Sequence, residues 1–141
     1  MKRTALLLIA PAFLAACSDT GDGAHIARRG PIIEHSAQGQ WRFTSIDGDR
    51  PLSTDAQVSF AKEWISVQAG CSRLQGPWRI DAERLVAGPF DQSEAACPNA
   101  SWQQGNAVNA LLTATPLVTV DGKRMVLRSS GHVAELTRTG A

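Results

Sequence analysis

Three cysteines and three histidines are the side chains of this 141-residue sequence best suited to nucleophilic, metal-binding or redox chemistry near neutral pH. Cys71 sits in "VQAGCSRLQGPWRI", directly after a glycine, and Cys97 closes "QSEAAC". Cys17 ends an apolar run. A catalytic thiol needs an imidazole beside it. His25 and His35 fall in a stretch with little core pattern, so only His132 is placed to serve Cys71. A zinc site needs about four ligands at close spacing, and neither CxxC nor HxxxH is present. GxSxG and HExxH are absent too, and Asp47-Gly48-Asp49 lacks the later ligands and closing Glu of an EF-hand loop. The pairs Asp47/Asp49 and Asp81/Glu83 lie in turn-like stretches and read as solvated surface. No metal or cofactor is expected, and any enzymatic reading rests on Cys71 alone.

Cys17 has a different context. Lys2 and Arg3 precede Ala5 to Ala16, a run of twelve residues without a charge and interrupted only by Pro11. A membrane-spanning helix needs about 20 apolar residues, so the run fits the core of an export signal. It ends in Leu14-Ala15-Ala16-Cys17, which resembles a bacterial lipobox. That resemblance implies a signal peptide over 1–16, cleavage before Cys17, and lipid on the Cys17 sulfur and the new amine. Each buried methylene contributes about 0.8 kcal/mol, so several acyl chains hold a small domain firmly at a membrane. Ser18 rather than Asp after the cysteine implies the periplasmic face of the outer membrane. Without Lys2 and Arg3 the chain has 12 basic residues against 13 acidic. So balanced a charge gives no field to gather nucleic acid.

The length implies one domain. Residues 17–39, with "SDTGDG" and "HSAQGQ", are poor in core formers and read as a flexible lipidated tether. From 40 to 138 the texture becomes short runs punctuated by turns. "WRFTSI" places Trp41, Phe43 and Ser45 on one face, "AQVSF" pairs Val58 with Phe60, and "WISVQ" pairs Ile65 with Val67, opposite Trp64. "GPWRI", "RLVAGPF", "LVTV", "RMVLRS" and "HVAEL" continue the pattern, with Asp121-Gly122-Lys123 as a hairpin signal. "NASWQQGNAVNALLTAT" instead spaces Trp102, Ala107, Ala110, Leu111 and Ala114 at helical intervals, with Asn99 or Ser101 as N-cap candidates. The fold class expected is mainly β or α+β: about seven or eight short strands and one helix.

Cys71 and Cys97 remain as an even pair. A disulfide between them would close about 27 residues and contribute roughly 3 to 4 kcal/mol. Two free structural thiols, or thiol chemistry, stay open alongside it. Of the four tryptophans, Trp41, Trp78 and Trp102 read as core. Trp64 is the candidate surface contact, because aromatics are enriched at binding surfaces.

The order of these features resembles the META/HslJ-like domain family. Trp41, Ile46 and Gly48 are similar to its opening "W…I.G". Gly70-Cys71-Ser72 with Gly76 and Trp78 is similar to its "GCN…G.Y", Ser93 to Cys97 to its "T..AC", and Met125 with Leu127 to a late "L.L". The resemblance implies a small, strongly curved antiparallel sheet packed against a helix. Gly70 would then permit a tight bend, and Cys71 would tie that bend to the residues before the helix. It further implies an envelope protein, in some members linked to stress or antibiotic tolerance, and no reaction. The function expected is a non-catalytic binding module, attached to the membrane through Cys17 and contacting an unidentified envelope protein or component. The alternative is a carrier with an apolar pocket inside the curved sheet.

Overall fold

The computed structural model describes residues 33–129 and 131–140. Its elements, in chain order, are β1 (Gly39–Ile46), β2 (Gln57–Phe60), β3 (Trp64–Ala69), β4 (Ser72–Asp81), β5 (Arg84–Ala87) and β6 (Asp91–Glu94). The helix α1 (Asn99–Thr113) follows, and then β7 (Leu117–Asp121), β8 (Arg124–Ser129) and β9 (His132–Thr139). Every strand pairing is antiparallel. The ring runs β3-β2-β1-β9-β8-β7-β5-β4, and β4 returns to pair with β3. The expected curved sheet is therefore, more specifically, a closed eight-stranded barrel, with β6 as an additional strand on β4.

Closure works because β4 is long enough to have three neighbours. Ser72 to Pro77 pair with β3, Trp78 to Asp81 with β5, and Ser72 to Gln75 with β6. β5 and β6 thus run along one edge of β4, separated by Gly88, Pro89 and Phe90. The joint between β5 and β7 is narrow. Arg84 opposite Leu117 is the single registered pair, carried by Leu85 N–H to Pro116 O at 2.8 Å and Val118 N–H to Glu83 O at 2.8 Å.

Alternation fills the barrel. Trp41, Phe43, Val58, Phe60, Ile65, Val67, Leu74, Leu85, Met125, Leu127 and Leu136 are buried, together with Trp78. Eight strands leave an interior just wide enough for such side chains, and burying each of the large aliphatic ones stabilises by about 1.5 to 3 kcal/mol. Phe60 and Trp78 meet edge to face, centroids 4.8 Å apart. Each buried indole finds an acceptor: Trp41 Nε1 donates to Ala37 O at 2.7 Å and Trp78 Nε1 to Ala61 O at 2.8 Å.

α1 touches β1, β3, β4, β5, β8 and β9, so it lies across one mouth of the barrel. It buries Gln104, Gly105, Val108, Leu111 and Leu112. The sequence reading had a different face. Trp102 is not core but 45% exposed, Ala110 is exposed, and of the expected stripe only Leu111 is fully buried. Nor do Asn99 or Ser101 cap the helix: Pro98 holds the N-cap position, with no side-chain cap.

Two further expectations give way. β1 slips register between Phe43 and Ser45, which turns Ile46 inward in place of Ser45. Residues 33–39, read as the end of the tether, belong to the fold: residues 33–37 are helical, and Ala37 is buried beneath Trp41. Arg138 clamps this turn by donating to the carbonyls of Ser36 and Gln38, with its guanidinium carbon 4.2 Å from the Trp41 ring centroid.

Candidate functional site

The cysteines of the domain serve architecture. Cys71 and Cys97 form a disulfide with Cα atoms 6.1 Å apart, joining the β3–β4 turn to the segment before α1. Gly70, at φ +57, makes that turn. Gly105 brings the helix down onto it: a Cβ there would lie 2.8 Å from Ser72 Oγ and 2.9 Å from Ala69 O. The glycine that weakens α1 as an isolated helix is what lets it dock.

His132 is likewise engaged, and not with a thiol. Its Nδ1 lies 2.8 Å from Asp47 Oδ2, while Val133 N–H donates to Asp47 Oδ1 at 2.9 Å. Asp47 and Gly48 form a tight turn, both at positive φ (51 and 87), closed by Ile46 N–H to Asp49 O at 2.9 Å and its reciprocal at 3.0 Å. Partial burial pushes the Asp47 carboxyl up, but the His132 hydrogen bond, the Val133 amide and the His132 charge outweigh it and hold the carboxyl below its ordinary value of 3.8. The pair pins β9 to the β1 turn. Among the described residues no other side chain hydrogen-bonds to the pair.

An open cleft lies between that turn and α1. It measures about 520 Å³ and is lined by Ile46, Asp47, Asp49, Arg50 and Leu52 on one side and Ala100, Gln103, Gln104 and Ala107 on the other. Gln104 spans its base. Its Oε1 accepts from Leu52 N–H at 2.8 Å and its Nε2 donates to Arg50 O at 3.0 Å. One buried amide thus ties the β1–β2 loop to the helix. The sequence reading missed this residue, since a polar position inside a helical pattern carries no sign of a partner 52 residues away.

Trp64 is 46% exposed at the start of β3, opposite Pro77 of β4. Its neighbours Ile65 and Val67 point inward, as the alternation required. Among the described residues no three His, Cys, Asp or Glu converge as metal ligands, and no helix is long and apolar enough to cross a membrane. Residues 1–16, expected to form a signal peptide, and Cys17 and His25 lie outside the described residues.

Comparison with known proteins agrees with this architecture. A protein solved by NMR shares the fold with a TM-score of 0.64 at 18% identity, over 74% of this chain and 92% of its own. A second NMR structure, of a protein from Burkholderia xenovorans, matches with a TM-score of 0.64 at 17% identity, over 100% of this chain and 99% of its own. No curated protein matches in sequence. The META domain family model matches residues 34–141, which takes in the barrel, its helix and the turn beneath Trp41. The chain belongs to the META domain family.

Proposed function

We propose that the protein is an exported lipoprotein, held by lipid on Cys17 at the periplasmic face of the outer membrane, and that its barrel is a non-catalytic module binding an envelope component. Envelope stress or antibiotic tolerance is the setting that the family resemblance implies. The observation that carries the reading is Trp64. A tryptophan held on a strand, with nearly half its surface in solvent and no side-chain hydrogen-bond or ring partner among the described residues, is an anchor for something outside the domain. The engagement of Cys71, Cys97 and His132 in structural contacts supports a binding role over a thiol-based one. The carrier alternative needs an interior cavity, and the barrel positions that would line one hold Trp41, Phe43, Phe60, Met125 and Leu136 packed together.

The test is capture from intact envelopes with the full lipidated chain. Trp64→Ser should fold normally and lose the captured component. Equal capture by both forms would remove the basis for the reading. Mass analysis of the mature chain, expected to start at an acylated Cys17, tests the anchor separately.

A further inference from the structure

The outward face of β1 to β4 has an unusual chemistry, visible only once the register is known. One row across it reads Arg42, Gln57, Gln68, Arg73. The next reads Gln40, Ser59, Ser66, Gln75. Trp64 and Pro77 stand at the end of the same face. The rows stay polar at both sides: Thr137 and Thr139 of β9 continue them one way, Ser93 and Asp91 of β6 the other. The two facing serines are the short residues of the grid, and a shallow groove of about 140 Å³ runs over them between Gln57, Gln68, Arg73 and Gln75.

Three properties narrow what this face would take. First, the side chains of Gln57, Ser59, Ser66, Gln68 and Gln75 make no hydrogen bond within the protein among the described residues, whereas Gln92 and Gln104 do. Each free primary amide offers two donors and an acceptor in one plane, and each hydroxyl offers both kinds. Second, strand propensity does not account for the composition. An exposed strand face is served best by Thr, Val, Tyr or Ile, and Ser and Gln are weaker formers. Third, charge is sparse. Arg42 and Arg73 against Asp91 are too few to hold a nucleic acid backbone. Serine is depleted at protein–protein interfaces, so a protein partner fits poorly as well.

A sugar ring fits all three. It presents an apolar C–H face, which stacks on an indole, and a rim of hydroxyls that donate and accept. We propose that the face formed by β1 to β4 binds a glycan strand, with one ring against Trp64 and successive hydroxyls on the Gln and Ser rows. Arg73, beside the groove, is placed for an acidic substituent. This rests on the reading of Trp64 as a contact and names the class of its partner.

The test uses the full chain, isotope-labelled and purified in detergent, titrated with three soluble probes: cellohexaose (hydroxyls alone), chitohexaose (added amides) and an oligogalacturonate (added carboxylates). Saturable amide shifts confined to β1 to β4 with any of them support the proposal, and the probe that binds best identifies the substituent. Trp64→Ser should weaken that binding about tenfold or more. Gln57→Val and Gln75→Val, which raise strand propensity and remove only the amide, should each weaken it about twofold to tenfold. Trp102→Ser should leave it unchanged. No shifts with any probe, or shifts clustered in the cleft between Asp49 and Gln104, would overturn the glycan proposal. If envelope capture remained sensitive to Trp64→Ser in that case, the binding-module reading would survive it.

Discussion

Gly70 of the β3–β4 turn and Ser101 of α1 meet backbone to backbone, so closely that the Ser101 carbonyl oxygen occupies the place a Cβ on Gly70 would take. Neither group has room to yield. The glycine is held at φ +57 and the carbonyl belongs to a helix that spans the barrel mouth. Gly70→Ala should therefore destabilise by about 2 to 4 kcal/mol, from backbone strain and overpacking together. Urea unfolding should show a lower midpoint. The same change at Gly122, also at positive φ but with open space where the Cβ would go, should be clearly milder.

The disulfide braces that contact. Cys71 and Cys97 are 26 residues apart, and a loop of that size implies about 3 to 4 kcal/mol. The helix start depends on the bridge, because α1 has no side-chain cap and no acidic residue in its first turn. Reduction, or replacing both cysteines by serine, should lower the unfolding midpoint. Amide exchange should rise first in residues 95–101, ahead of the barrel strands.

Much of this was legible because burial in a small barrel imposes strict alternation. Val58/Phe60, Ile65/Val67 and Met125/Leu127 face inward as their spacing required, and the Asp121-Gly122 turn joins β7 to β8. Elements that do not depend on burial were invisible. β6 is "DQSE", exposed throughout, and exists because the edge of β4 offers it partners. The bulge at Phe43/Ser45 and the inward turn of Ile46 are set by pairing with β9, some ninety residues away. Trp102 was read as core from hydrophobicity, yet the face α1 buries is chosen by the close approach at Gly105 and by Gln104, residues that an apolar pattern passes over. Trp64 was legible as outward-facing. The Ser and Gln rows beside it were not, since rows across a sheet appear only when register is fixed.

Asp47 makes stability depend on pH in one direction. Its carboxyl is held below its ordinary value of 3.8 in the folded state, so the unfolded chain takes up the proton first. The contribution is present above about pH 4 and disappears as pH falls through the lower folded value. Its side chain is about one-third exposed, so solvent screening limits the effect to under about 1 kcal/mol. Asp47→Asn should lower stability near neutral pH by that small amount and leave the variant and parent alike at the acid end. Denaturation midpoints measured between about pH 2 and 7 would check the convergence.

Gln104 carries two backbone hydrogen bonds across the cleft. Gln104→Ala leaves the Leu52 amide and the Arg50 carbonyl without it and should cost about 1 to 3 kcal/mol. Gln104→Glu keeps the acceptor for Leu52 but loses the donor to Arg50 and places a charge at a buried position, so it should rescue little. In Gln104→Ala, exchange of the Leu52 amide should accelerate while that of Val58 stays protected.

The slender joint between β5 and β7 sets how the wall gives way. Other neighbouring strands share ladders of four or more registered residues, whereas this pair shares one. Under thermal agitation the hoop should part there before anywhere else, laying the strands out as an open, twisted ribbon. The chain's thermal limit would then be governed by two backbone bonds, at Leu85 and Val118, helped by Arg84 Nη1 donating to Thr115 O, and a staple engineered across that gap would harden the whole cylinder more than added bulk at its centre.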